Sequence, residues 1–236
     1  KGLPLPARVV SANAYLGALP IKQALDGGAQ VVVTGRCVDS AVTLGVLMHE
    51  FGWASDAYDQ LAQGSLAGHL IECGAQGTGG LHTDWDQVPG WDDIGYPVLE
   101  CSADGSFTIG KPPGTGGLVS PATVGEQVLY EIGDPANYLL PDVICDFTQV
   151  RLAQVAPDVV RLTGARGRAP TTTYKVSATY AEGFRCNAQL TIVGVDAVAK
   201  AERTAQAILA RTRRLFAENG WSDYTRTHVD ILGAEA

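Results

Sequence analysis

Apolar and polar positions in the first third of the chain follow helical and strand periods in turn. In residues 20–29, PIKQALDGGA, the apolar positions have helical spacing and end at two glycines, which predicts a helix. The continuous apolar run in residues 30–36, QVVVTGR, predicts a strand buried on both faces, as parallel strands usually are. Helical periodicity returns in residues 39–52, DSAVTLGVLMHEFG, and in residues 58–75, YDQLAQGSLAGHLIECGA. This succession predicts an α/β fold with a partly parallel sheet flanked by helices.

Strand signals dominate the later part of the chain. Residues 98–110, VLECSADGSFTIG, alternate around an Asp-Gly pair, which predicts a β-hairpin. Residues 143–193 are rich in β-branched side chains, alternate in polarity and are interrupted by turn residues, so we expect several strands there. Residues 223–233, DYTRTHVDILG, predict a closing strand.

Two helices are predicted among these strands. Residues 120–135, SPATVGEQVLYEIGDP, begin with Ser120 as the expected N-cap, followed by a proline at the first helical position. Residues 196–220, DAVAKAERTAQAILARTRRLFAENG, contain an apolar stripe at helical spacing and give the clearest helix signal of the chain. We expect Asp196 to cap this helix and Gly220 to end it.

The change of pattern near residue 140 predicts two parts. Residues 1–140 are predicted to form an α/β core portion, and residues 141–236 a smaller α+β subdomain with antiparallel strands and one long helix. The chain starts at KGLPLPARVV without a methionine and enters an apolar stretch at once. This start indicates a piece of a longer protein whose N-terminal part is absent.

Charge and composition exclude some partners. The formal net charge is −8, which offers no basic surface for a nucleic acid. No apolar run approaches the roughly 20 residues that a membrane span needs, so no membrane insertion is expected. The five cysteines form no CxxC pair and their number is odd, which argues against a disulfide framework and favours the cytoplasm.

Two glycine-rich loops share the sequence GTGG, at residues 77–80 and 114–117. Such loops let successive backbone N–H groups converge on an anion, and Lys111 lies near the second loop. They also form tight turns without any ligand, and neither loop is a P-loop or a GxGxxG motif, so both interpretations stay open. The candidate substrate-binding residues of the two loops are Gln76, Gly77, Thr78, Gly79, Gly80, Gly114, Thr115, Gly116 and Gly117.

Titratable residues precede the first loop. His69 lies four residues before Cys73 and therefore on the same helical face, which is compatible with covalent catalysis. Cys73 follows Glu72 at a helix C-terminus, where dipole and charge are expected to raise the pKa of a thiol, so a packed cysteine is the competing interpretation. Glu72, His69 and Cys73 are candidate catalytic residues, and no cluster has the spacing of a metal site.

Arg36 and Asp39 follow the predicted strand of residues 30–36, at the end where α/β folds place ligand clefts. Arg36 is predicted to bind the acidic end of a substrate through its guanidinium fork. Asp39 is a candidate catalytic base, but it also suits the N-cap of the next helix or the partner of Arg36. In SANAYLGA, Asn13 and Tyr15 are each either a turn residue or a polar residue of a pocket, and Asn13 is a further candidate substrate-binding residue. We expect the turn of residues 34–40 and both GTGG loops to line one cleft.

Residues 82–98, HTDWDQVPGWDDIGYPV, have no periodicity and predict a long surface loop. Trp85 and Trp91 in this loop indicate a surface that another chain covers. We therefore expect a homo-oligomer, or association with a separate N-terminal chain or segment.

Several long motifs of this chain resemble the acyclic terpene utilisation family AtuA. They are SANAYLGALPIKQALDGGAQVVVTGRCVDSAVTLGVLMHEFGW, GHLIECGAQGTGG, GTGGLVSPATVGEQVLYEIGDPANYLLPDV and VRLTGARGRAP. Family members begin well upstream, so the chain resembles their middle and C-terminal portion. Gly77 departs from the family's commoner pattern, in which a larger residue occupies this position.

The resemblance implies a role in bacterial catabolic clusters for citronellol and geraniol, beside acyl-CoA enzymes, and assigns no catalytic residue. We expect a cytoplasmic enzyme that acts on a branched acyl-CoA or related carboxylic acid by lyase or hydratase chemistry. No cofactor is predicted, although the substrate itself can contain a CoA moiety. The alternative is a non-catalytic binding or assembly subunit of an acyl-CoA catabolic complex.

Overall fold

Three helices of the first part form where the sequence pattern predicts them. The computed structural model describes residues 8–234, and the three helices are α1 (Leu19–Asp26), α2 (Ala41–Glu50) and α3 (Tyr58–Ile71). Helix α3 is buried along its whole middle, from Leu61 to Leu70, and α2 packs against both α1 and α3. The centre of the core is therefore helical, with Leu44, Met48 and Leu66 among its fully buried side chains.

All strands are short, and they form three separate sheets. The strands are β1 (Val9–Ala14), β2 (Val98–Cys101), β3 (Phe107–Gly110), β4 (Tyr138–Leu139), β5 (Ile144–Asp146), β6 (Arg151–Ala156), β7 (Val159–Thr163), β8 (Arg166–Arg168) and β9 (Val176–Tyr180). The sheet orders are β1-β9, β2-β3-β7-β6 and β4-β5-β8, and every pair of strands is antiparallel. The predicted hairpin is confirmed, because β2 and β3 pair on either side of the Asp104-Gly105 turn.

The predicted α/β fold with a partly parallel sheet is wrong for the described residues. Residues 30–36 form no strand, and the side chains of Val31 and Val33 are 81% and 92% exposed. An apolar run becomes a buried strand only where other segments cover both its faces and pair with its edges. Here the nearest pairing is one isolated parallel bridge, between Leu16 and Cys37.

The strands predicted near the end of the chain are also wrong. Residues 181–193 and 223–233 form no strand, so the last strand of the described residues is β9, which ends at Tyr180. Alternating polarity alone did not create strands there, because a strand also needs a partner that completes its backbone hydrogen bonds.

Helix α4 (Pro121–Leu129) has the predicted N-terminus. Ser120 Oγ accepts a hydrogen bond from Thr123 N at 3.2 Å, and Thr123 Oγ1 accepts one from Ser120 N at 2.9 Å. This reciprocal pair is a capping box with Thr in place of the usual acid, and it satisfies two N–H groups that the helix leaves free.

The chain divides into two compact units, Lys1–Ala181 and Glu182–Ala236. The predicted boundary near residue 140 stays a prediction, and residues 1–7 and 235–236 of the predicted parts lie outside the described residues. The second unit contains the predicted long helix α5 (Ala197–Glu218), which Gly220 follows with a φ of 71°. Asp196 stands at the N-cap, but its side chain makes no capping hydrogen bond. Within residues 8–234, no helix combines the length and apolar character needed to cross a membrane.

Candidate functional site

An open groove lies between the turn that precedes α2 and the C-terminal end of α3. Its volume is about 430 Å³. The groove brings together Arg36, Asp39 and Glu72, three of the residues that the sequence singles out. The lining residues are Gly35, Arg36, Cys37, Asp39, Val42, Thr43, Gly68, Ile71 and Glu72.

The close crossing of α3 over the start of α2 forms the floor of this groove. A Cβ atom added to Gly68 would lie 2.7 Å from the carbonyl oxygen of Ser40 and 2.8 Å from its Cα. Only glycine permits this approach, because any side chain would force the two backbones apart. The crossing therefore sets how closely Glu72, at the end of α3, faces the turn that contains Arg36.

Arg36 is held by three contacts at one end of the groove. Its Nη2 donates a hydrogen bond to Tyr15 Oη at 3.1 Å, and its Cζ lies 4.3 Å from the centre of the Tyr15 ring. Its Nη1 lies 3.6 Å from Asp39 Oδ1, a distance too long for a hydrogen bond. The hydrogen bond to Tyr15 raises the pKa of Arg36 above its usual value.

The sequence allows three roles for Asp39: N-cap of α2, partner of Arg36, or catalytic base. Ser40, not Asp39, is the N-cap residue of α2, and no side chain caps this helix. The carboxylate of Asp39 instead lies in the groove beside Arg36. The partner role therefore matches an observed contact, and the catalytic role stays a prediction.

Cys73 is a neutral thiol at physiological pH. Its Sγ donates a hydrogen bond to Glu72 Oε1 at 2.9 Å. Burial, followed by this hydrogen bond, raises the pKa of Cys73 to about 11. A thiolate nucleophile needs the opposite shift, so the environment of Cys73 does not favour covalent catalysis.

His69 lies outside the groove, in the interface between α3 and α4. Its Nε2 donates a hydrogen bond to the carbonyl oxygen of Gln127 at 2.9 Å, and Gln127 Nε2 donates one to the carbonyl oxygen of His69 at 3.0 Å. Burial lowers the pKa of His69, so the neutral imidazole is favoured. The structure places this side chain in a packing contact between helices, and its hydrogen-bond partner is Gln127 and not Cys73.

The first GTGG loop is a compact turn. It continues a short 3₁₀ helix, Gly74–Thr78, and Gly79 adopts a φ of 97° that favours glycine. The amides of Gly79 and Gly80 donate to the carbonyl oxygens of Gln76 and Ala75, at 3.2 and 2.8 Å. These two N–H groups therefore already have intramolecular partners.

The second GTGG loop packs against the first. Leu118 N donates to Thr78 O at 2.9 Å, while the amides of Gly116 and Gly117 donate to the carbonyl oxygens of Asp93 and Pro89. Neither loop contributes a lining residue to the groove. The two loops thus pack against each other and do not line the groove of Arg36, and their role as an anion cradle stays a prediction.

Lys111, which the sequence places near the second loop, has two partners of its own. Its Nζ donates to the carbonyl oxygen of Thr115 at 2.7 Å and lies 3.3 Å from Asp158 Oδ2. Asp158 Oδ1 in turn accepts a hydrogen bond from Val119 N. The charge of this lysine is therefore partly neutralised by a neighbouring carboxylate.

Comparison with known proteins decides the family. The model of the acyclic terpene utilisation family protein AtuA matches residues 4–236. The chain belongs to this family. No curated protein and no solved structure matches it. As a member of the AtuA family, the chain has a role in acyclic terpene utilisation.

The other predicted residues of this AtuA family member lie away from the groove. Asn13 lies in β1 opposite Ser177, and Gln76 lies in the short 3₁₀ helix of the first loop. Neither residue lines the groove. Trp85 and Trp91 are 64% and 49% exposed, in a segment that contains two further 3₁₀ turns.

The role of Tyr15 is not visible in the sequence. The sequence allows only a turn or pocket residue at this position, because the contact of Tyr15 with Arg36 spans 21 positions of the chain and has no local signal. Thr43 and Ile71 of the groove were not singled out at all. Helical periodicity places Thr43 four residues after Asp39, on the same face, and this spacing was the available signal.

Proposed function

We propose that the groove at Arg36 binds the acidic end of a branched acyl-CoA or related carboxylic acid, within a cytoplasmic catabolic step. The chemistry proposed is that of a lyase or hydratase. The observation that supports this proposal is the presence of one guanidinium and two carboxylates, Arg36, Asp39 and Glu72, in a single open groove.

Arg36 retains donors for a ligand. A guanidinium has five N–H groups, and the hydrogen bond to Tyr15 uses one of them. The contact with Asp39 Oδ1, at 3.6 Å, uses none. A planar fork with free donors is the group that binds a carboxylate or phosphate through two parallel hydrogen bonds.

Asp39 and Glu72 are the proposed proton-transfer groups. Adding water to a double bond conjugated with an acyl group needs one base that takes a proton from water and one acid that delivers a proton to carbon. Asp39 lies in the turn that precedes α2, and Glu72 lies at the C-terminal end of α3. The two carboxylates therefore line the groove from two sides. No redox cofactor takes part in this scheme, and any CoA moiety belongs to the substrate.

Arg36→Ala tests the binding role. We expect the affinity for citronellate and for its CoA thioester, measured by calorimetry, to fall about 30-fold, because a charged hydrogen bond is lost. Arg151→Ala is the matched control, because Arg151 is exposed on β6 and does not line the groove. If Arg36→Ala unfolds the protein while binding per folded molecule is unchanged, Arg36 is only a structural ion-pair residue.

A second function is favoured by the glycine-rich loops. Their amides already donate to carbonyl oxygens, as expected of packing turns, which is compatible with a non-catalytic binding or assembly subunit. Asp39→Asn and Glu72→Gln separate the two functions. An enzyme loses turnover of a branched α,β-unsaturated acyl-CoA, the substrate that the hydration step requires, whereas a binding subunit shows no turnover even as the wild type and retains its affinity.

We also propose that another chain, a second copy or a separate N-terminal chain, covers the exposed tryptophans or the edge of the β1-β9 sheet. Exposed Trp85 and Trp91 and unpaired strand edges support this proposal. Light scattering of the purified protein should give a mass above that of one chain, and Trp85→Ser should lower it if the tryptophans form the contact. A monodisperse monomer without a co-purifying chain contradicts the proposal.

A further inference from the structure

We propose that Tyr15 is a positioning residue that holds the guanidinium of Arg36 in the orientation that receives the acidic group of the ligand. The identity of that ligand rests on the proposed function. The role of Tyr15 itself rests on contacts that the structure shows at the end of the groove.

The backbone fixes Tyr15 and Arg36 relative to each other. Tyr15 directly follows β1, and its N–H donates to the carbonyl oxygen of Lys175 at 2.9 Å. The next residue, Leu16, donates its N–H to the carbonyl oxygen of Arg36 at 3.1 Å and accepts a hydrogen bond from Val38 N at 2.9 Å. These bonds clamp the turn of Arg36 to the residue that follows Tyr15.

The side chains then make two contacts of different kinds. The Tyr15 hydroxyl accepts a hydrogen bond from Arg36 Nη2, and the ring lies within cation–π distance of the guanidinium carbon. The ammonium nitrogen of Lys175 lies 4.8 Å from the centre of the same ring. Tyr15 is therefore an aromatic platform for two cations, one of which lines the groove.

Orientation matters here because the side chain of Arg36 is half exposed. A free arginine side chain samples many rotamers, and a ligand that binds it must first order them. Anchoring on Tyr15 removes part of that ordering cost before the ligand arrives. It also turns Nη2 toward the phenol, so the remaining N–H groups are left for the ligand.

The test compares Tyr15→Phe and Tyr15→Leu with the wild type. Phenylalanine keeps the ring and loses the hydroxyl acceptor, whereas leucine loses both contacts. Tyr180→Phe is the matched control, because Tyr180 lies on the same two-stranded sheet, opposite Val9 and outside the groove. Thermal unfolding of each variant shows whether the fold is retained. If Tyr15→Leu does not fold, Tyr15→Phe alone is compared with the wild type.

The first readout needs no ligand. In protein labelled with ¹⁵N-arginine, the Arg36 guanidinium resonance should shift and its N–H groups should exchange faster in Tyr15→Leu, with a smaller change in Tyr15→Phe and none in Tyr180→Phe. An Arg36 resonance that stays unchanged in both Tyr15 variants overturns the proposal.

The second readout is the affinity for citronellate and its CoA thioester. We expect a loss of about fivefold in Tyr15→Leu and a smaller loss in Tyr15→Phe. In the Arg36→Ala background, Tyr15→Leu should cause no further loss, because a residue that acts through another has no effect once the other is removed. Independent, additive losses overturn the proposal. If the wild type binds neither probe, the proposed function fails, and the resonance of Arg36 still decides the role of Tyr15.

Discussion

The imidazole of His69 shows at the scale of one residue how a chemically reactive side chain serves packing. It joins α3 to α4 through a hydrogen bond to the carbonyl oxygen of Gln127 and is almost completely buried. The reciprocal bond from the Gln127 amide ties the two helices at the same point. The proposed proton-transfer roles are therefore limited to the two carboxylates of the groove, Asp39 and Glu72.

Burial of His69 predicts a loss of stability in mild acid. Burial lowers the pKa of His69 below its ordinary value of 6.5. Below that pH the unfolded chain binds a proton at His69 more readily than the folded chain does, so the free energy of unfolding falls as the pH falls. Urea unfolding between about pH 7.5 and pH 5.5 should show this fall.

The comparison variant for this prediction is His69→Gln, whose amide can still donate to Gln127 O. The fall of stability between the two pH values should be smaller in His69→Gln than in the wild type. A steeper fall in His69→Gln contradicts the assignment of a buried neutral imidazole.

At the scale of elements, the packing of the second glycine-rich loop against Gly90 in the segment of residues 82–98 predicts a large difference between two glycines of the chain. A Cβ atom at Gly116 would overlap the carbonyl oxygen of Gly90, whereas one at Gly133 would meet no atom within 4 Å. Gly116→Ala should therefore lower the free energy of unfolding by about 2 kcal/mol, because a packed backbone contact is forced apart. Gly133→Ala should leave it nearly unchanged.

Chemical denaturation of the two glycine variants measures the difference. Equal stabilities would show that the loop has room to move, as a ligand-binding loop often does, and would contradict its interpretation as a packing turn. The result bears directly on the two proposed functions.

Elements with local signals were predictable from the sequence. The capping box of α4 lies within residues 120–123, and the β2-β3 hairpin is determined by the two residues of its turn. Residues 30–36 failed as a strand because burial of an apolar run depends on distant segments, and Val31 and Val33 have none over them. Residues 223–233 alternate in polarity but also form no strand, because strand formation likewise depends on a distant segment that pairs with them.

The groove was predictable only in part. The sequence indicated Arg36, Asp39 and Glu72 by residue type and by position at the ends of elements. Their meeting depends on how α3 crosses α2, which no local pattern encodes. The contact of Tyr15 with Arg36 likewise depends on tertiary packing that no local pattern encodes. For the same reason the sequence predicts the glycine-rich loops in the groove, whereas in the structure they contact each other.

At the scale of the whole molecule, the division at residue 181 predicts where a protease cuts first. Phe184 is fully exposed, and residues 181–193 form no helix or strand. Limited chymotrypsin digestion should first cleave after Phe184, because an exposed segment outside secondary structure enters a protease site easily. Mass spectrometry should then find fragments that end and begin at this position.

Phe184→Ser is the control and should delay that first cleavage. If the first cut instead falls near Tyr138, the boundary lies close to residue 140, as the sequence pattern predicts. The digestion thus decides between the two boundaries.

The missing side chain at Gly68 has a consequence for the size of the molecules that the groove admits. An added methyl group would point into Ser40 and would push the end of α3 away from it. Glu72 would move with the helix, so the opening between it and Arg36 would change although both charged side chains were kept. Under the proposed function, the size of the acids that bind would therefore depend on an uncharged glycine at the crossing of two helices.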